Sequence, residues 1–125
     1  MSRLGCKLSF LKNGSPNHIR MNYLIIWRYD IHPAARDAFE QAYGPSGDWA
    51  ALFRASPDYL GTQLLRDVAQ PNRYVTIDYW RTAEAFVAFE TAWHAAYAAL
   101  DQQCVELTIT EMHLGSFYSQ SDSAG

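Results

Sequence analysis

The stretch Tyr74-Val75-Thr76-Ile77-Asp78-Tyr79-Trp80-Arg81-Thr82, running straight into a helical segment from Ala83 to about Gln103, decides the fold. Its first half is β-branched and aromatic, the composition of a strand. Thr82 stands where a helix N-cap is wanted, and Glu84 in the first turn suits the positive end of the helix dipole. On a helical wheel Phe86, Phe89, Trp93, Tyr97 and Leu100 then fall on one narrow stripe. Glu90 lies at its border, within about 40° of the stripe centre at 3.6 residues per turn. Such a stripe faces a sheet, and rings of this width leave room for a flat cavity against it.

Working outward, Tyr23 to Tyr29 reads as another strand, apolar on both parities and therefore central. Pro33 is placed to open a helix. Ala35, Ala38, Phe39, Ala42 and Tyr43 continue it at helical spacing until Gly44-Pro45 stops it. Asp48 can cap a short second helix burying Trp49, Leu52 and Phe53, which ends before Pro57. Leu60 to Asp67 is a second strand, and Gln70-Pro71-Asn72 turns the chain into the third. From Val105 to about Tyr118 a long final strand alternates Val105, Leu107 and Ile109 with Glu106, Thr108 and Thr110. The order is β-α-(short α)-β-β-α-β, which defines an α+β, ferredoxin-like split βαβ protomer. One four-stranded antiparallel sheet carries helices on one face. The other face is apolar and needs a cover, most simply a second copy, so a homodimer is expected.

The chain of 125 residues suffices for one domain with its own core. A hydrophobic fraction of 49% and an aromatic fraction of 14% exclude a disordered protein. Residues 1–20 carry a local +4 and no acid, whereas residues 21–125 hold six arginines against thirteen acids, a net −7. That charge repels a phosphate backbone and disfavours anionic membranes, so neither nucleic acid nor membrane is expected as a partner. Residues 1–20 show no periodic apolar face and read as an appendage to a domain spanning 21–118, with 119–125 a polar tail. Cys6 and Cys104 do not make a disulfide framework, and two reduced thiols point to a cytoplasmic protein. No apolar run approaches a membrane span.

Several of these features together resemble the antibiotic biosynthesis monooxygenase family. They are Tyr23–Tyr29 with Pro33, the strand end Tyr79-Trp80-Arg81-Thr82, Ala85-Phe86 with aromatics spaced behind it, and the long last strand. The resemblance covers roughly residues 21–118. It implies a dimeric α+β barrel and, among the family's chemistries, cofactor-independent oxygenation of phenols or haem degradation. The Tyr43-Gly-Pro-Ser-Gly-Asp-Trp49 insert also looks like one bacterial subgroup. The haem-degrading branch needs an Asn, a Trp and an axial His where this chain holds Trp27, Phe89 and Ala99. Without the axial ligand the haem anchor is gone, so no cofactor is expected.

Oxygenation without a cofactor asks for a flat apolar pocket, a proton acceptor and donors for enolate-like charge, because the electron-rich substrate itself reduces dioxygen. The pocket candidates are Trp27, Phe53, Phe89, Trp93 and Tyr97, which otherwise simply fill the core. Glu90 is the sharpest catalytic candidate, since a carboxyl on the stripe would have a raised pKa; the competing reading turns it to solvent or pairs it with an arginine. His94 at the stripe's edge and Tyr97 complete the catalytic set. His113 and Glu111 share a face of the last strand, where a subunit contact is the first expectation. Among the four histidines no H-x-H or H-x₃-H spacing occurs, so no metal site is expected. Gly44-Pro-Ser-Gly47 echoes a phosphate loop but lacks its lysine. The leading function is a cofactor-independent monooxygenase or related enzyme on a small aromatic metabolite. The alternative is a non-catalytic dimeric barrel binding an apolar ligand or a partner.

Overall fold

The computed structural model describes residues 22–120. The positively charged segment 1–20 and residues 121–125 of the polar tail lie outside the described residues. The chain runs β1 (Tyr23–Ile31), a 3₁₀ turn (Pro33–Ala35), α1 (Arg36–Tyr43), α2 (Asp48–Phe53), β2 (Tyr59–Arg66) and β3 (Arg73–Trp80). It continues with α3 (Ala83–Ala92), α4 (His94–Cys104), a 3₁₀ turn (Val105–Leu107) and β4 (Thr108–Tyr118). The strands form one antiparallel sheet in the order β2-β3-β1-β4, with the helices packed on one face. This is the α+β arrangement that the order of sequence patterns implies.

Strict alternation builds the core. Tyr23, Ile25, Trp27, Tyr29 and Ile31 of β1 are buried towards the helices, as are Tyr74, Thr76, Asp78 and Trp80 of β3. The opposite parity, Leu24, Ile26, Val75, Ile77 and Tyr79, is half-buried on the outer face. That face continues onto the exposed Leu65 of β2 and Met112, Leu114 and Phe117 of β4. Burial of β1's inner parity stabilises at about 25 cal/mol per Å² of apolar surface removed from water.

Several local signals act where they were expected, but Asp48 does not cap α2: it is the first helical residue, and Gly47 holds the N-cap position without a side-chain hydrogen bond. Thr82 accepts a 3.0 Å hydrogen bond from the Ala85 N–H and caps α3. Pro33 opens the 3₁₀ turn ahead of α1. Arg36 then pins α1 to the β2–β3 connection by donating to Pro71 O, Asn72 Oδ1 and the Tyr74 hydroxyl. Tyr74 in turn donates to Glu40 of α1 at 2.5 Å.

Two expectations need correction. The segment 83–103 is not one helix: it breaks at Trp93, whose φ of −112° and ψ of 27° separate α3 from α4. The Phe89 and Tyr97 rings approach to 6.4 Å, closing the space that an intervening indole would need. Trp93 therefore turns outward and is 45% exposed. The last strand also begins at Thr108, because Val105 to Leu107 winds into a 3₁₀ turn whose Leu107 carbonyl accepts from the His32 N–H.

β4 is irregular at its centre. Its register to β1 shifts between the pairs Ile26–Gly115 and Trp27–His113, leaving Leu114 as a bulge residue. Gly115 has φ +155°, and a Cβ there would stand 2.7 Å from the Phe117 ring. Only glycine satisfies both the backbone and the overlying ring.

Candidate functional site

The helix-facing side of the sheet is ordered in rows. Leu64, Thr76, Trp27 and His113 make one row across all four strands, and Tyr59, Trp80, Tyr23 and Tyr118 make another. Between them runs Thr62, Asp78, Ile25 and Ser116, a row that is mostly polar. A polar row inside an aromatic interior costs desolvation and is retained only where its groups are used or bonded.

Its hydrogen bonds are specific. Thr62 Oγ1 donates to Asp78 Oδ1 at 2.7 Å, and the Tyr59 hydroxyl lies 2.5 Å from Thr62 Oγ1. Thr62 has one hydroxyl proton and gives it to Asp78, so Tyr59 is the donor in the second contact. The result is a chain from a half-buried phenol to a buried carboxyl. At the other end of the row, Ser116 Oγ and His113 Nε2 are 3.1 Å apart across the Gly115 bulge. Thr76 and Trp80, which flank Asp78 on the same face of β3, bury Thr76 Oγ1 and Trp80 Nε1 without a hydrogen-bond partner.

Aromatic rings surround this strip. Ring contacts run from His113 through Trp27, Tyr29, Tyr43, Trp49, Tyr97 and Phe89 to Trp80, with centroid separations between 4.8 and 6.4 Å. Phe53 joins Trp80 at 5.5 Å, Phe89 at 5.6 Å and Tyr97 at 6.4 Å. The structure thus brings Phe53, Phe89 and Tyr97 together. Trp27 belongs to the same run of rings but reaches them through Tyr29, Tyr43 and Trp49.

Of the residues singled out from sequence for catalysis, Glu90 is 2% exposed on α3 and Tyr97 is fully buried on α4. Phe86 and Phe89, Glu90's neighbours on α3, both pack on Trp80 at 5.3 Å, which seats α3 over the aromatic row next to Asp78. His94 is exposed at the start of α4, and Trp93 beside it is half-exposed, so neither joins this group. His113 and Glu111 pair with Trp27 and Tyr29 and so share the helix-facing side of the sheet, opposite the exposed apolar face. Glu111 is buried, and the His113 ring lies 5.3 Å from Trp27.

Thr62, Thr76, Asp78 and Ser116 escaped the sequence reading. One signal was available for β3: Asp78 shares the parity of Tyr74 and Trp80, so whichever face holds those rings must also hold its carboxyl. Among the described residues no group of three or more His, Cys, Asp or Glu side chains is arranged to hold a metal ion. None of the helices among them is long and apolar enough to cross a membrane. The Gly44–Gly47 loop is explained by packing, since a Cβ on Gly47 would stand 2.3 Å from the Gln41 carbonyl.

A ferredoxin-like sheet with a polar strip under aromatic helices defines a small α+β domain. The antibiotic biosynthesis monooxygenase family profile matches residues 22–99, and the chain belongs to that family. Among solved structures it is similar to a variant of SnoaB, a cofactor-independent oxygenase from Streptomyces nogalater. The two are 24% identical at a TM-score of 0.66, over 80% of this chain and 94% of that one. It is also similar to PA3566 from Pseudomonas aeruginosa, 18% identical at a TM-score of 0.60, over 83% of this chain and 99% of that one. Both likenesses concern the fold. No curated protein matches the chain.

Proposed function

We propose that the protein is a cofactor-independent monooxygenase-type enzyme acting on a small aromatic metabolite, and that it works as a homodimer. The observation that carries this reading is the hydrogen-bonded chain Tyr59–Thr62–Asp78, which ends at a buried carboxyl among aromatic rings. Membership of the family and the oxygenase activity named for SnoaB support it.

The chemistry follows from what such a site supplies. A flat phenolic substrate lies among the rings with its acidic C–H or O–H towards Asp78 and Glu90. Either carboxyl takes the proton, and Thr62 and Tyr59 support the charge on Asp78 by hydrogen bonding. The resulting carbanion or phenolate reduces dioxygen directly. When a CH₂ becomes a carbonyl, one oxygen atom enters the product and the other leaves as water, so no external reductant is consumed. Tyr97 would hydrogen-bond a substrate oxygen. The exposed outer face, with Leu65, Met112, Leu114 and Phe117, is the surface on which a second copy would pack.

Oxygen uptake with 1,8-dihydroxyanthrone as probe tests the reading. Wild-type protein should accelerate uptake above autoxidation, consume one O₂ per substrate and need no added flavin or metal. Binding of the probe with no acceleration would leave the non-catalytic alternative, and absence of both would remove the site.

A further inference from the structure

Thr76 sits at the centre of the helix-facing side of β3, between Trp27 and Leu64 of the neighbouring strands. It is 2% exposed, and its hydroxyl has no hydrogen-bond partner. A valine would fill the same volume without the desolvation cost of an unmade hydrogen bond, so the fold alone does not explain a threonine here. Two residues on, about 6.6 Å along a strand rising roughly 3.3 Å per residue, the buried Asp78 presents its carboxyl on the same face. Two residues further, the buried indole N–H of Trp80 also lacks a partner.

The charge of this interior has one sign. The buried charged side chains among the described residues are Asp78, Glu90 and Glu111, all acids. The arginines there are half-buried or exposed, and the protein's lysines all precede residue 13. An anionic ligand would meet three buried carboxyls and no buried arginine or lysine in a medium of low dielectric, whereas a hydroxyl would find acceptors.

We infer that Thr76 and Asp78 form a specificity strip that selects a neutral, hydroxyl-bearing planar aromatic ligand and rejects its carboxylate-bearing counterpart. The inference rests on the reading that the helix-facing interior receives a small aromatic molecule. Ligand hydroxyls donate to Asp78 and to Thr76 Oγ1, or accept from the latter, and so satisfy the atom that the folded chain leaves unpaired. The aromatic walls hold the rings of the ligand and contribute no discrimination between neutral and charged forms beyond desolvation.

Three probes at pH 7 test it, read by tryptophan fluorescence quenching and melting temperature. They are 1,8-dihydroxyanthraquinone, its 3-carboxylic acid derivative and unsubstituted anthraquinone. In wild type the dihydroxy probe should bind about tenfold or more tightly than either of the others, the worth of roughly one buried hydrogen bond. Thr76→Val should keep or raise the melting temperature of the free protein, lower affinity for the dihydroxy probe about tenfold, and leave anthraquinone unchanged. Asp78→Asn should narrow the gap between the dihydroxy probe and its carboxylate.

A wild type that binds the carboxylate as tightly, or binds none of the three, overturns the inference. So does a Thr76→Val variant that is less stable and keeps full affinity for the dihydroxy probe. Oxygen chemistry is read separately, by the oxygen-uptake test of the proposed function. A selective binder that leaves its ligand unoxidised therefore keeps the strip and removes the enzymatic reading, and an oxygenase that prefers the anion does the reverse.

Discussion

The hydroxyl of Thr62 donates a 2.7 Å hydrogen bond to the buried carboxyl of Asp78, its direct cross-strand partner from β2 to β3. Both residues stand on the face that the helices cover, so the bond is partly shielded from bulk water and spans an edge strand and a central one. Thr62→Val keeps the shape and removes the donor. A buried acceptor left without its partner costs about 1–3 kcal/mol, which denaturant unfolding would read as a lower midpoint at unchanged slope. Thr62→Ser restores the hydroxyl and should recover most of the loss. An unchanged midpoint in Thr62→Val would show that the contact holds nothing.

Alkaline stability should depend on Tyr74. Burial first, and the hydrogen bond to Glu40 second, hold its phenol above the ordinary value of 10.0. The folded state thus favours the protonated form more than the unfolded state does. That contribution is fully present below pH 10 and is lost as pH rises through the raised value. Tyr118 adds to it with the same sign, because burial, and then Glu84, raise its pKa. Melting temperature measured from pH 8 upward should fall above pH 10 in wild type and fall less steeply in Tyr74→Phe. Identical slopes would mean that Tyr74 ionises as freely folded as unfolded.

The β4 bulge gives a prediction about non-additivity. Gly115→Ala forces a side chain into a positive-φ conformation and against the Phe117 ring. The backbone strain alone is worth about 1–3 kcal/mol. Removing the ring with Phe117→Ala relieves the steric part but not the backbone part. The double variant should therefore be less destabilised than the sum of the two singles, as a double-mutant cycle in urea would measure. Full additivity would show that the ring does not crowd the glycine.

The fold was legible because its signals are local and strong. The β-branched and aromatic run of β1, the Thr82 cap, Pro33 and the stop at Gly44-Pro45 are each a signal for one element. Phe53, Phe89 and Tyr97 were legible as mutual neighbours because large rings at helical spacing have one place to go. The break at Trp93 was not, since a wheel assumes a straight helix and cannot see that Phe89 and Tyr97 close over the intervening position. Asp78 was passed over because its strand was read for composition rather than parity. The polar row it belongs to joins four strands, so three of its members become neighbours only through pairing that the sequence does not display. That His113 and Glu111 share a face was legible from parity, but which face it is follows only from their pairing with Trp27 and Tyr29 of β1.

The outer face should hold two copies together. Ile26 and Ile77 are directly paired at its centre, and Leu65, Leu114 and Phe117 extend the apolar surface to both edges. Light scattering after size exclusion should give twice the 14.2 kDa chain mass at micromolar concentration. Ile77→Asp, which places a charge at the centre of that face, should halve it while leaving the helix-facing core intact. A wild type that elutes as a monomer would remove the homodimer from the proposed function.

Glu90 separates catalysis from binding most directly. Its carboxyl is buried on α3, in the helix turn whose Phe86 and Phe89 pack on Trp80, and Asp78 precedes Trp80 by two residues on the same sheet face. If Glu90 takes the substrate proton, Glu90→Gln should retain probe binding and lower turnover by about 10²–10⁴-fold, the range for a positioned base. If Asp78 is the base and Glu90 only shapes the pocket, Asp78→Asn carries that loss and Glu90→Gln changes KM far more than kcat. Glutamine matches glutamate in size, so the fold survives, and an unchanged melting temperature verifies this. Activity persisting at the wild-type level in both variants would exclude proton abstraction by either acid and leave the aromatic walls as a binding site alone.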